Sequence, residues 1–543
     1  MKRKAVAAVL TAVMVASMFT GCGSDNGSSS AKSTSAASAA NDTVDEDGKV
    51  NGIMYQEGLP LVDEGDYTFS IFCDDSSESG EFIMLDEFKK QTNVDVDLKI
   101  YPYETATERL NLDLNSGDYA DVIGGWTLSD NAILTYGVNQ GVFIPLEDYF
   151  EKYCPNISAI LDLPGVREKM TAPDGHIYTI PYVCTDTTVG YSPYINTKWL
   201  ENVGMSMPTT TDEFEAVLKA FKEQDANGNG DASDEIPFST DPNNKHIEAM
   251  AGYFGLPMNK LGIAIQNEKV VYGGVSDTYR EFLSWFHKLY AEGLVDVELY
   301  TQDSSTWEGK GNQDLYGVSI AYGSNEFTGI PAAEERGDFD SMPVLNTDKD
   351  GIWLRDTEGF SVYRTQAVIT NKAEHPEIIC RWFDNAFALE NGIGCNRGPV
   401  GVIVNKEDDG YHAIDTTTLS EEDQEKYSWG NLWPQSLPKY LPADFEFVEE
   451  HPMYDEKKAT EEAYEANLTK EIIPSYWIDL DKIDTFSDTN TAIKDFFEQQ
   501  QAQFVCGELD IDNDADWQAY VDGMYSLGLE DWVATQGIEE IAK

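Results

Sequence analysis

Positive charge is what this chain has least of: 37 Lys and Arg stand against 97 Asp and Glu, a formal net charge of −60. Binding to nucleic acid depends on Lys and Arg neutralising phosphates, so that class of partner is excluded. The same imbalance disfavours polyanionic ligands unless a local basic pocket meets them, and it leaves neutral ligands open. Otherwise it gives an exposed protein a soluble, self-repelling surface. Catalytic signatures are missing as well. There is no HExxH, no GxSxG and no Walker-type phosphate loop. GIGCNRG, Gly392 to Gly398, lacks the dinucleotide spacing and reads as the end of a helix. The 6 histidines show no metal-ligand spacing, and 97 acids make a glycosidase carboxylate pair impossible to single out. Seven cysteines form no CxxC pair and no zinc pattern. With Cys22 set aside, Cys73, Cys154, Cys184, Cys380, Cys395 and Cys506 would permit disulfides outside a cell. A chain able to bury large cores needs no such staples, so free buried thiols fit equally well.

No internal repeat is present, and no apolar run reaches the roughly 20 residues that a spanning helix needs. The N-terminus carries a shorter one. Lys2, Arg3 and Lys4 precede an almost wholly apolar stretch from Ala5 to Phe19, the form of a secretory signal peptide. Thr20-Gly21-Cys22 resembles a bacterial lipobox, with Phe19 where that pattern usually has Leu. The resemblance implies cleavage after Gly21, diacylglycerol on the Cys22 thiol and a membrane tether on the outside of a cell. An ordinary secretory signal with an incidental cysteine is the alternative. From Gly23 to Val44 the sequence is rich in Ser, Ala, Gly and Asn without apolar periodicity, as a flexible spacer is.

Beyond Asp66 the pattern alternates. YTFSIFC from Tyr67, VDVDLKIY from Val94 and ADVIGGW from Ala120 read as strands. EFIMLDEFKKQT from Glu81 and the segment ending at Gly117 read as helices, Gly117 being a plausible C′ residue. This βαβαβ rhythm predicts a parallel or mixed sheet flanked by helices, with ligands beyond the carboxyl ends of its strands. Gly124, Gly125 and Trp126 lie at such an end. ADVIGGW, DGHIYTIPYV from Asp174, YINTKWLENVGMSMPTTTDEFEAVLKAFK from Tyr194, ITNKAEHPEIICRWFDNAFALENG from Ile369 and FFEQQQAQFVCGELD from Phe496 occur in that order. Together they resemble the extracellular solute-binding proteins of ABC importers, in the oligosaccharide-binding lipoprotein branch. The resemblance implies an α/β, two-lobed periplasmic-binding-protein-like fold, with hinge-linked lobes around a central ligand cleft. On this basis residues 1–21 are the signal peptide and 22–62 the anchor and linker. Lobe 1 takes 63–184 plus 366–475, and lobe 2 takes 185–365 plus 476–543.

DANGNGDASDEIP, Asp225 to Pro237, begins like an EF-hand loop. Asp225, Asn227 and Asn229 alternate before Gly230, and alternating oxygens on a tight loop can converge on one Ca2+. Position 12 is Ile236 instead of Glu, while Asp234 and Glu235 arrive earlier. The resembling proteins carry a similar loop that holds a structural calcium. The expected ligands are therefore Asp225, Asn227, Asn229, Asp231, Asp234 and Glu235; the competing reading is an Asn/Gly surface turn.

Sugars present apolar C–H faces and many hydroxyls, so their sites pair aromatic platforms with a few polar groups. Trp126 at the strand end, Trp307 in DSSTWEGKGN, and Trp429 and Trp433 in YSWGNLWPQ are the candidate platforms. Tyr182 and Asp186 lie where the family's first interlobe crossing falls, and Arg364 lies near the second. A lone tryptophan is as readily a core residue, and Arg364 can simply pair with an acid. Trp199, Trp285 and Trp382 fall on amphipathic helical patterns and are read as core. The expectation is a monomeric, lipid-anchored receptor. It captures a neutral carbohydrate, with an oligosaccharide the foremost candidate, and delivers it to ABC importer permease subunits without making or breaking a covalent bond. A receptor for peptides or another solute, a surface glycoside hydrolase and a calcium-dependent adhesin are the alternatives.

Overall fold

The computed structural model describes residues 42–75, 81–185, 187–241, 246–329, 337–414, 416–442, 445, 447–448 and 452–542. Cys22, the signal segment, most of the spacer and Asp186 lie outside them.

The first alternation closes as read. β1 (Tyr67–Asp74), α1 (Ile83–Thr92), β2 (Val94–Tyr101), α2 (Tyr103–Ser116) and β3 (Val122–Gly124) follow one another. β1 pairs in parallel with both β2 and β3. α2 stops at Gly117, whose φ of 75° lies in the left-handed region that glycine enters without steric cost. Along β1 the side chains alternate between two cores: Phe69, Ile71 and Cys73 join one, Phe72 the other.

The chain then leaves through β4 (Tyr182–Thr185) and builds a second sheet from β5 (Ser192–Asn196), β6 (Ile236–Thr240), β7 (Tyr316–Ala321) and β8 (Phe339–Ser341). α3 (Thr211–Glu223) buries Phe214, Val217, Leu218 and Phe221 in its core, and α4 (Ser304–Asn312) covers the other face. The order is β8-β5-β7-β6, with β6 and β7 parallel and β5 antiparallel to β7. The return runs through β9 (Phe360–Tyr363), antiparallel to β4, into β10 (Ala367–Ile369), which completes the first sheet as β10-β3-β1-β2. α5 (Pro376–Ala386) packs on that sheet, burying Trp382 against Phe69 and Phe88. Trp199 is fully buried, whereas Trp285 packs at the margin of the second core.

One boundary differs from the expectation. α6 (Pro452–Tyr464) and the strand Leu468–Ile472 fall within 366–475, yet they pack on the second sheet's side. The strand pairs in parallel with Trp353–Arg355, and Tyr464 donates to the Met342 carbonyl at 2.7 Å. The charged middle of α6, DEKKATEE, is followed by Tyr464, which is completely buried on the second core. α7 (Ile483–Cys506) follows on the same core. GIGCNRG, as read, ends a helix: it forms the last turns of Leu389–Arg397 and the cap at Gly398. None of the six cysteines among the described residues is joined in a disulfide. No helix among them is long and apolar enough to cross a membrane.

Candidate functional site

Register fixes where the two sheets present their strand ends. In the first sheet Cys73 pairs with Gly124 and Gly124 with Ala367, so the carboxyl ends of β1 and β3 share an edge with the start of β10. In the second sheet Ile320 pairs with Thr240 and Ala321 with Ser192, which puts the carboxyl ends of β6 and β7 beside the start of β5. β4 leaves the first edge, where Ile180 donates to the Ala367 carbonyl at 2.9 Å, and reaches Ser192 on the second. β9 comes back to Ala367 through residues 364–366. The crossing pair thus links two carboxyl-end edges, the position in open α/β sheets where ligands bind.

At the first edge Asp74 ends β1, and its buried carboxylate accepts from the backbone N–H of Trp126 at 3.0 Å and of Thr127 at 2.6 Å, and from the Thr127 hydroxyl. Gly125 has φ 134°, and a Cβ there would run into that carboxylate. The glycine therefore lets Asp74 fold the loop so that Trp126 stands out, 46% exposed. Its ring meets Tyr363 edge-on at 5.3 Å and Tyr182 at 6.3 Å, and Tyr182 stacks on Tyr363 at 5.4 Å. Trp429 is also half exposed and is tied to the same edge. Gln435 donates to its carbonyl at 2.9 Å and, through its backbone N–H, to Asp75 at 2.7 Å. Lys439 donates to Gln435 at 2.7 Å, and its ammonium lies 5.2 Å from the Trp429 ring centre. Burial pushes the Lys439 ammonium down to about 8.

The second edge carries aromatic groups that sequence reasoning did not single out. Tyr191, just before β5, stacks on His246 at 4.0 Å with planes 10° apart, and Tyr322, just after β7, meets Tyr191 edge-on at 6.1 Å. Burial, reinforced by Lys260, pushes His246 down to about 4, so its imidazole is neutral at neutral pH. Lys457 of α6 lies 3.7 Å over the Tyr322 ring and donates to the Gly190 carbonyl at 2.9 Å. Glu326 accepts from the Tyr322 N–H at 2.9 Å, and burial raises its pKa. Strand-end position was the available signal for these residues: Tyr191 and Tyr322 directly flank apolar strand patterns, as Trp126 does.

Two expected platforms are core residues. Trp307 is 3% exposed and donates to the Ser319 hydroxyl at 3.2 Å, its ring against Phe327. The polar stretch around it is a helix, α4, capped by Asp303, which accepts from the Thr306 N–H at 2.8 Å. Gly311 is there because a Cβ would collide with the Phe327 carbonyl, so it serves close packing and not a loop. Trp433 is fully buried, stacked on Trp382 at 5.7 Å. Arg364 is also taken up by protein. It pairs with both oxygens of Asp130, at 2.8 and 2.6 Å, and only 6% of its side chain is exposed.

The loop from Asp225 links α3 to β6. Asp225 accepts from the Gly230 N–H at 3.0 Å, Glu235 from the Ala226 N–H at 2.9 Å, and Asp234 from the side-chain amides of Asn227 and Asn229. Asp231 instead turns to Ser233, accepting from its hydroxyl at 2.6 Å. Two oxygens are buried without a partner, Asp225 Oδ1 and Glu235 Oε2. Burial, with Asp234 beside it, raises the Glu235 pKa. Buried carboxylate oxygens without donors are what a hard, oxygen-seeking cation would satisfy. Elsewhere, the side chains of Glu407, Asp409 and His412 approach within 4.8 Å of one another on a hairpin in which both acids are exposed.

Residues 76–392 match the family of bacterial extracellular solute-binding proteins. The chain belongs to that family. It is 33% identical over 335 residues to the fructooligosaccharide ABC transporter substrate-binding protein FusA of Streptococcus pneumoniae, covering 60% of this chain and 61% of that protein. The chain thus spans less than two thirds of the length of the curated relatives it matches. The structure of S. pneumoniae FusA in complex with kestose superimposes with a TM-score of 0.76 at 26% identity, over 86% of this chain and 98% of that one. An EF-hand mutant of FusA in complex with fructo-nystose gives 0.74 at 27%, over the same shares. The fold is accordingly that of the periplasmic binding proteins, mixed α/β sheets joined by crossing strands.

Proposed function

We propose that this protein is the solute-binding receptor of an ABC importer and that it captures a neutral oligosaccharide between its two strand-end edges. The observation that carries the reading is the pair of aromatic groups at those edges, Trp126–Tyr182–Tyr363 and Tyr191–His246–Tyr322, on a scaffold superimposable on FusA with kestose. Aromatic faces suit the C–H faces of sugar rings, while carboxylates, backbone and Tyr hydroxyls supply directional bonds. Trp429 extends the first group, and Asp186, the next residue in sequence after β4, supplies an acceptor for a sugar hydroxyl. The lobes close on the ligand by rotation about the crossing strands, and the closed form docks on permease subunits. No covalent step belongs to the receptor. It works as a monomer held to the outer face of the cell membrane by a lipid on Cys22.

Ca2+ belongs to the loop at Asp225, Asn227, Asn229, Asp231, Asp234 and Glu235. There it supplies charge to carboxylate oxygens that otherwise lack a partner, bracing the turn between α3 and β6. The FusA EF-hand mutant supports the presence of such a loop in a similar protein.

The test is isothermal titration of the mature protein with kestose, a panel of neutral and acidic oligosaccharides, and peptides. Saturable binding of a neutral oligosaccharide without turnover is expected. Binding of peptides alone, or hydrolysis of the sugar, would refute the reading.

A further inference from the structure

Arg364 occupies the three-residue link between β9 and β10, and four of its five N–H donors go to two other parts of the chain. Nε and Nη2 fork onto Asp130, which follows the Trp126 loop. Nη1 donates to the Ser475 carbonyl at 3.3 Å and Nη2 to the Tyr476 carbonyl at 2.7 Å, both in the connection from the strand Leu468–Ile472 to α7. The guanidinium carbon sits 4.1 Å over the ring of Trp477. Trp477 in turn donates to the Lys169 carbonyl at 3.1 Å, and its ring packs against both the second-sheet core and a core of the first sheet.

Asp130 opens a helical stretch that continues as a π-helix over Ile133–Asn139. Two successive residues there serve different cores, Ile133 the first sheet's and Leu134 the second's. Asn131 reaches Ser487 of α7 at 3.3 Å. The crossing link, the loop behind Trp126 and the Ser475–Trp477 segment of the second sheet's side therefore converge on one buried guanidinium. A forked Arg–carboxylate pair fixes the angle between its partners as well as their distance, which a lysine cannot do.

We infer that Arg364, with Asp130 and Trp477, is the hinge pin of lobe closure. It is a positioning residue that sets how far the lobes open and touches no ligand. The inference rests on the receptor reading above. Closure by rotation is absorbed at a few connecting residues, and a pin at that point biases the ratio of open to closed forms. Without it the Ser475–Trp477 segment is no longer held to Asp130 and the crossing link, so the ligand-free lobes should sample wider separations.

Closure can be followed by electron–electron resonance between spin labels at Leu112→Cys, on α2 beside the first sheet, and Val297→Cys, in the segment before α4 beside the second, both exposed, in a background with Cys22→Ser, Cys184→Ser and Cys506→Ser. Arg364→Gln and Asp130→Asn should each broaden the ligand-free distance distribution towards longer values. Each should also raise the dissociation rate of kestose about tenfold, with the association rate within about threefold. The double variant should be no worse than either single, because the two residues act as one device. If Arg364→Gln does not fold, Arg364→Lys keeps the charge, loses the fork and is read in the same way. An unchanged distance distribution with only a lower Tm would overturn the pin, as would loss of binding in Arg364→Gln alongside a neutral Asp130→Asn. If kestose does not bind the parent protein, the receptor reading fails on that ligand, and the ligand-free distances still decide the pin.

Discussion

Trp126 and Trp307 each lie near a glycine that admits a close contact, Gly125 and Gly311, yet one ring is 46% exposed and the other 3%. The glycines do different things. Gly125 admits the Asp74 carboxylate that turns Trp126 outward, whereas Gly311 admits the backbone of Phe327 so that α4 can press Trp307 inward. Trp126→Ala should therefore weaken oligosaccharide binding by at least about tenfold, roughly 1.4 kcal/mol, with little change in Tm. Trp307→Ala should do the reverse. It opens a cavity costing about 3–5 kcal/mol in denaturant unfolding, while the folded fraction binds normally. Equal losses of affinity in both would contradict the assignment. Lys439 offers a test by pH. Its folded pKa of about 8 lies below the ordinary 10.5, so between these values the unfolded chain holds more protons. Stability contributed at this site must then rise as pH climbs from 8 towards 10.5, because charging a buried ammonium is what the fold pays for at lower pH. Lys439→Met should be more stable than the parent at pH 7, and the gap should shrink by pH 10. A gap that widens with pH would show that the ammonium is favourably held.

Among the elements, legibility followed periodicity. α1, α2 and β2 could be read from apolar residues at the period of one packed face, and β1 and β3 from short apolar runs buried on both faces. α4 could not, since its apolar face consists of one tryptophan among glycines and polar residues; only Asp303 as a cap signalled a helix start. α6 was assigned to the first lobe through the family resemblance, while the buried Tyr464 and the pairing of the strand after it put it beside the second sheet. The loop from Asp225 was legible for another reason, the fixed spacing that metal coordination imposes. Its orphaned Asp225 and Glu235 oxygens and the raised Glu235 pKa describe a turn whose negative charge is uncompensated. Calcium at 100 times its dissociation constant should add about 2.7 kcal/mol to stability, visible as a rise in Tm that a chelator reverses. Asp225→Asn should abolish most of that rise. Acidification towards the Glu235 pKa should weaken calcium binding, because its carboxylate must lose a proton to bind. A Tm indifferent to both calcium and chelator would mean that the loop is an Asn/Gly turn and nothing more.

At the scale of the whole molecule, the two sheets and the strands that join them could be anticipated only through family resemblance. Composition and alternation show sheets flanked by helices, but which distant strands cross is a matter of pairing over hundreds of residues, such as Tyr182 with Tyr363. The second-edge aromatics were missed for a like reason, since Tyr191, His246 and Tyr322 meet only once β5, β6 and β7 have paired. Charge, by contrast, is fully legible from sequence. A net −60 acts on both lobes as self-repulsion, against which surface ion pairs such as Lys90–Glu87 count for little. Raising monovalent salt from about 10 to 100 mM shortens the screening length from about 30 to 10 Å, less than the span of one lobe. The repulsion should fall and Tm should rise by several degrees at constant calcium, whereas a protein held mainly by its ion pairs would lose stability. The affinity for a neutral oligosaccharide should stay within about twofold over the same range, because no charge is transferred to the site on binding. An affinity that falls steeply with salt would instead identify a charged ligand, and would remove neutral sugars from the reading without disturbing the fold or the hinge.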